Sequence, residues 1–437
     1  MKNPKKFLLP VILSLVILLP WTVSGFQVVA STAQGSNSIG RVDVPIVAAS
    51  DASLASKSLA GFICDGVDDQ EEILEAIAIS NGRRVELSEG TFEISSPIDK
   101  FPTLGLIFSG QGVRTILARA APNISLIRVV SLEGTSNLIF QDFAIDGRRD
   151  EYPTRQNTQH STKIPAIYTQ GMAKSQFKRL SFYNCHMALY TNNNDWDSHI
   201  ADSNYLNRVE ECKFEYCTTA LRARDAHVMT VARSYFWRCD LAIYPAENCN
   251  QFSIQECHVG YSGTSSMGAV YIGGGISFNI LGGTYAGIVG GGPAVLLGGC
   301  REAIVSGATF YDAGTSGLVL RWCENVIVSS CNFEAAQHHG IEVRESTRIR
   351  VADCVITGNS YSTPGDFSGV HITDGSQHTS IDGCIIDGRW RNLYYPRHRY
   401  GVYEEVGCDY TKIRDTLFYA NIEGDTHLAG EHSCVLD

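Results

Sequence analysis

The sequence predicts an all-β solenoid of stacked parallel strands. Three observations predict it: a short repeat, the period-two alternation inside that repeat, and a further strand downstream of each copy. Between Phe143 and Thr416 the pattern apolar-x-apolar-x-x-small-x-apolar recurs about every 23 residues, most legibly in VIVSSCNF (Val326 to Phe333) and IRVADCVI (Ile349 to Ile356). A steady period with occasional lengthening means one coil per repeat, with insertions confined to loops. The small position is filled in turn by Phe143, Leu180, Cys212, Ser234, Cys257, Gly283, Ala308, Cys331, Cys354, Cys384 and Thr416. Two residues later comes a second inward apolar side chain, such as Phe182, Phe214, Phe236, Phe310 and Phe333. Alternation at period two over short segments is a strand signal, not a helix signal.

The downstream strand reads Gly/Ala-apolar-x-apolar, as in AVYI (Ala269 to Ile272), GIEV (Gly340 to Val343) and GVHI (Gly369 to Ile372). One coil cannot bury its own apolar face, so coils must stack into a continuous core. About eleven coils at a spacing of roughly 4.8 Å predict a rod on the order of 50 Å long. A β-propeller, whose blades repeat at about 40 residues or more, does not fit this period.

The ends and the charge set further limits. Lys2, Lys5 and Lys6 precede an apolar run from Phe7 to Leu19, and small residues follow with cleavage points after Gly25, Ala30 or Ala33. Residues 1–33 therefore read as a signal peptide, or as an uncleaved N-terminal anchor and the sole membrane attachment. Residues 34–100 form the N-terminal cap and first coil, 101–418 the helix of strands, and 419–437 a C-terminal tail or cap. The expected location is secreted or cell-surface. A formal net charge of −11 argues against nucleic acid as a partner, because that ligand asks for a basic face.

Fourteen cysteines in an exported chain would suggest disulfides, but twelve fall into three repeat registers. Cys212, Cys257, Cys331, Cys354 and Cys384 hold the small position; Cys249, Cys300, Cys323 and Cys408 share a second register and Cys185, Cys217 and Cys239 a third. In-register side chains sit at the strand spacing, wider than the ~3.8 Å between Cβ atoms that a disulfide prefers. Packed free thiols are the expectation. Cys64 and Cys434 fall near opposite ends, where a head-to-tail bond between molecules is geometrically allowed, so self-association stays open.

Ahead of the coils, CDGVDDQEEILEAIAISNGRRVELSEGTFEI (Cys64 to Ile94) resembles the N-terminal cap of the pectate-lyase-like superfamily. Asp65, Gly66 and Asp68 match its opening turn, and Ser88, Gly90, Thr91 and Phe92 its closing motif. The resemblance spans roughly Ala48 to Phe418 and implies a single-stranded right-handed parallel β-helix with a short capping helix. Independently, Asp68 or Asp69 suits a helix N-cap. Ile73, Leu74, Ile77 and Ile79 supply a stripe able to cover the open end of the core.

Function must come from outward residues. In the Gly-apolar-x-apolar strand the residue between the two apolars faces solvent. That column reads Tyr168, Tyr190, Arg222, Tyr244, Tyr271, Leu296, Val319, Glu342, His371 and Tyr403, with Arg224, Arg321 and Arg344 two residues further on. Stacked tyrosines offer flat rings to the C–H faces of sugars, and their phenols a polar handle. Three loops, Asp146 to Pro165, Gly358 to Phe367 and Asp387 to Tyr400, should gather along one edge of that face. The last brings Arg389, Trp390, Arg391, Tyr394, Tyr395, Arg397, His398 and Arg399 into an acidic chain. Tyr244, Tyr271, Arg222, Trp390, Tyr403 and Arg389 are the candidate substrate-binding residues, and an anionic polysaccharide or cell-surface glycan the candidate partner. The bland alternative is that rings and loops pack on one another.

For catalysis, relatives that cleave polysaccharides use paired carboxylates or an Arg/Lys base, often with calcium held by acidic side chains. The paired Asp, Gly-His-Gly and Arg-x-Lys pattern of polygalacturonases is absent, and so is the Asp-Pro-His motif of β-helix mannuronan epimerases. The best cluster is Arg321, Glu324, His338, His339, Glu342, Arg344, His371 and Asp374. Glu342, His371, Arg344 and Arg321 are the candidate catalytic residues: an acid, a base and a charge-neutralising pair. A solvated salt-bridge patch is the competing reading. No metal ligand set is assigned; calcium is the one ion the resemblance leaves open. Three functions remain: a polysaccharide-binding protein that also cleaves or epimerises as a lyase, glycosidase or epimerase; a non-catalytic surface or filament protein; and a glycan-binding fibre of tailspike type.

Overall fold

A computed structural model describes residues 44–436 except 153–163, 193–203, 247, 265 and 391–394. The export-signal reading falls outside these residues. Each coil contributes three short strands, because the repeat straddles a bend. One coil supplies Arg208–Glu210, Lys213–Glu215 and Thr219–Ala223, and the next supplies Thr230–Ala232, Tyr235–Trp237 and Leu241–Pro245. Each strand pairs in parallel with its counterpart one coil later. The result is three long parallel sheets around one core.

The bend inside the repeat has a backbone cause. The residue before each small position is left-handed: φ is 55° at Glu211, 47° at Arg233, 50° at Glu256 and 53° at both Ser330 and Asp353. Such a conformation costs an L-residue about 1–2 kcal/mol. The ladder offsets it, since the Glu211 and Arg233 N–H groups donate to the Ala232 and Gln255 carbonyls of the following coil at 3.1 and 2.9 Å. Gly282, Gly307 and Gly383 occupy the same position without that cost.

The predicted registers are present inside the core. Phe182, Phe214 and Phe236 stack with ring centroids 4.7 Å apart and planes within 2°; Phe310 and Phe333 do the same at 4.6 Å. Cys331, Cys354 and Cys384 lie on successive rungs, the N–H groups of Val355 and Ile385 donating to the carbonyls of Cys331 and Cys354 at 2.9 Å. All fourteen cysteines are free, and all but Cys434 are buried. Burial pushes the thiols of Cys212 and Cys249 up to about 12.

At the N-terminal side the helix Gln70–Ile79 buries Ile73, Ala76 and Ile77 against the core. Two expectations there need correction. Ile79 is exposed, because residues two apart on a helix do not share a face with Ile77. Asp69 stands at the N-cap, but its carboxylate accepts from the N–H groups of Gly66 and Glu93 at 2.9 and 2.8 Å instead of capping the helix.

Candidate functional site

The outward column assembles in register, rung after rung. Tyr168 pairs with Tyr190, Tyr190 with Arg222, and Arg222 with Tyr244. Tyr271, Leu296, Val319, Glu342, His371 and Tyr403 follow in order, and His427 extends the row. The second column places Arg321 beside Arg344. The face is less open than its position suggests. Arg222 is 9% and Val319 7% exposed, because tall neighbours in one column cover each other.

The row divides into two halves of different chemistry. In the first, the Arg222 guanidinium lies between two rings, 5.1 Å from the centroid of Tyr190 and 5.3 Å from that of Tyr244. This is a cation–π sandwich. Tyr271 stacks on Tyr244 at 5.3 Å. Its phenol leans over Gly273, whose missing Cβ would lie 3.1 Å from the hydroxyl oxygen. The glycines of this stretch let the ring lie across the sheet. Burial raises the phenol pKa values of Tyr190 and Tyr271, so both stay protonated donors.

The second half is a network of ions. Glu342 accepts from Arg344 at 2.8 Å and from the Ser316 hydroxyl at 3.1 Å, and Arg344 also pairs with Asp374 at 2.9 Å. Arg321 lies 3.7 Å from Glu345 and its guanidinium 3.9 Å from the Trp322 ring. One rung on, His371 Nε2 meets Glu405 Oε1 at 3.0 Å, and the other Glu405 oxygen accepts from the Thr373 hydroxyl. That bond and the imidazole hold the Glu405 pKa low. The Nδ1 of His371 is buried, with no hydrogen-bond partner among the described residues. His339 packs 4.3 Å from His371. Its Nδ1 accepts from the Ser368 N–H at 3.0 Å, and burial holds its pKa well below the usual imidazole value. Of the named charges around His371, Arg321 and Arg344 oppose Glu342, Glu345, Asp374 and Glu405. This half is net negative.

Sequence reasoning missed Glu405. Continuing the second column from Arg344 through Thr373 leads to it. Glu324 is drawn away from the site by its pairs with Arg301 and Arg348. Arg389 and Trp390 are held at the corner that opens their loop. Arg389 binds Asp387 through Nε and Nη2 at 3.0 and 2.9 Å, and Trp390 Nε1 donates to Glu334 at 2.8 Å. Arg391 and Tyr394 lie outside the described residues. The loops do reach the face at two points: Phe367 stacks on His338 at 4.0 Å, and the Arg399 guanidinium lies 5.3 Å from the Tyr403 ring. Among the described residues, the one group of three donors close enough for a metal is Cys64, Asp69 and Glu72, beside the N-terminal helix.

Comparison with known proteins places this geometry in a class. Residues 293–434 match the family described as a right handed beta helix region. The chain has the right-handed parallel β-helix fold. Among solved structures, the A-module of mannuronan C-5 epimerase AlgE4 from Azotobacter vinelandii is similar at TM-score 0.58 and 16% identity, over 85% of this chain and 97% of that one. The pre-mature gene product 12 of bacteriophage phi29 is similar at TM-score 0.60 and 13% identity, over 82% of this chain and 52% of that one. The Agl-KA catalytic domain follows at TM-score 0.57 and 10% identity, covering 85% and 66%. No curated protein matches the sequence. At these identities the likeness is one of fold, and fold alone does not assign function.

Proposed function

We propose that this chain is an exported polysaccharide-binding β-helix protein whose tyrosine-bearing face receives a glycan along the row of rungs. The observation that carries this reading is the unbroken register from Tyr168 to Tyr403, which lines up rings, guanidiniums and a His–Glu pair on one surface. Acidic sugar units seat in the half built from Tyr190, Arg222, Tyr244 and Tyr271, where a cation is present. The half around His371 repels them, because its carboxylates outnumber its cations. It presents instead the hydrogen-bonded His371–Glu405 pair, the candidate for proton transfer with a bound sugar. One of the similar structures being a mannuronan epimerase module supports a polysaccharide substrate, while the missing Asp-Pro-His motif argues against that enzyme's own chemistry.

The test is a binding and turnover screen of the full chain against acidic and neutral polysaccharides. The reading expects an acidic glycan to bind, binding to weaken in Tyr271→Ala, and any product release to disappear in His371→Ala without loss of binding. Failure of every acidic glycan to bind, or binding indifferent to Tyr271, would overturn it.

A further inference from the structure

A second aromatic surface lies on the sheet that follows the small column, away from the tyrosine row. Trp237 ends the strand Tyr235–Trp237, and the next two rungs of its outward column hold only Gly260 and Ala286, before Tyr311. Two rungs with almost no side chain lie between two with aromatic rings; the Trp237 indole covers the first, so the slot is the Ala286 rung, roughly 10 Å between its flanking rungs on two strand spacings.

The rings are set for a flat ligand. The Trp237 indole folds over Gly260, where a Cβ would lie 2.8 Å from its Cζ3 and force the ring to shift. Tyr261 lies over Gly287 in the same way, 3.7 Å from the missing Cβ, meets Trp237 edge-on at 4.5 Å, and remains 52% exposed. His258 forms the side of the slot, stacked on Tyr235 at 5.2 Å with planes 5° apart.

Charge selects among ligands. Lys213 is neutralised by Glu215 at 2.9 Å, and burial lowers the His258 pKa, keeping that ring uncharged. A nucleic acid would need net positive charge. A protein partner would need on the order of 800 Å² per side, far more than one rung provides. Exposed aromatic faces with imidazole and phenol edges suit the C–H face and hydroxyls of an uncharged sugar.

We propose that the slot between Trp237 and Tyr311 binds neutral pyranose units of a glycan chain, as a sugar site separate from the tyrosine row. This does not depend on what the tyrosine row binds. The experiment is isothermal titration of the full chain with cellohexaose, laminarihexaose, maltohexaose and mannohexaose. Three variants accompany it: Trp237→Ala removes a wall, Ala286→Arg fills the slot from an outward position without touching the core, and Tyr271→Ala alters the other face. At least one hexasaccharide should bind, with affinity falling roughly tenfold or more in both slot variants and unchanged in Tyr271→Ala. Absence of binding to all four sugars, full affinity in Ala286→Arg, or loss in Tyr271→Ala would each overturn the proposal.

Discussion

Replacing His398 by Gln should remove a defined part of the acid sensitivity of this fold. His398 is fully buried at a corner where other coils place Cys185, Cys217 or Cys239. Its Nε2 accepts from the Asn359 N–H at 3.0 Å, and Nδ1 lies 3.3 Å from Asn421 Oδ1, so the ring must be neutral. Burial lowers its pKa from 6.5 to about 4. A folded pKa below the unfolded one means the unfolded chain binds the proton first, so stability is intact above pH 6.5 and falls as the pH drops towards 4. The full gap is 2.5 pH units, or about 3.4 kcal/mol at 1.36 per unit, of which about 2.5 kcal/mol is lost near pH 4.5. Gln keeps an oxygen able to accept from Asn359 and does not titrate. Urea unfolding of both proteins near pH 7.5 and pH 4.5 measures the difference. His339, depressed in the same direction, cancels because both proteins carry it. The wild type should lose about 2.5 kcal/mol more than His398→Gln over that interval. Parallel losses in the two proteins would mean that His398 does not set this acid sensitivity.

Phe214→Ala, between two rings at 4.7 Å, should destabilise by about 4 kcal/mol in the same unfolding assay, with Phe214→Leu costing less. Arg119 is fully buried, and its three guanidinium nitrogens have no hydrogen-bond partner among the described residues. Arg119→Met should therefore raise stability, by about 1–4 kcal/mol, read as a higher urea midpoint. Tyr271→Ala should weaken an acidic oligosaccharide roughly tenfold by calorimetry, with an unchanged circular dichroism spectrum.

The columns are legible in the sequence because two periods coincide. Strand alternation decides which side chains face out, and the coil period decides which of them meet, so Tyr244, Arg222, Glu342 and His371 can be set side by side from spacing alone. The bend within the repeat is not legible. Glu211, Arg233 and Ser330 carry left-handed backbone without the glycine that would announce it. Glu404 defeats the pattern differently, taking an inward apolar position as a carboxylate. It is buried by accepting from Thr411, Ser433 and the N–H groups of Ala429 and Gly430. Glu405 next to it lies beyond the recognisable strand motif. The partners of Arg389 and Trp390 come from loop contacts that repeat nowhere, and no periodicity can reveal them.

Diffraction from crystals of the full chain grown with an acidic oligosaccharide would show whether the tyrosine row receives a glycan. Sugar density should run along the rungs of Arg222, Tyr244 and Tyr271, with carboxylates near the Arg222 guanidinium. Sugar bound only elsewhere, with that row bare, would contradict it.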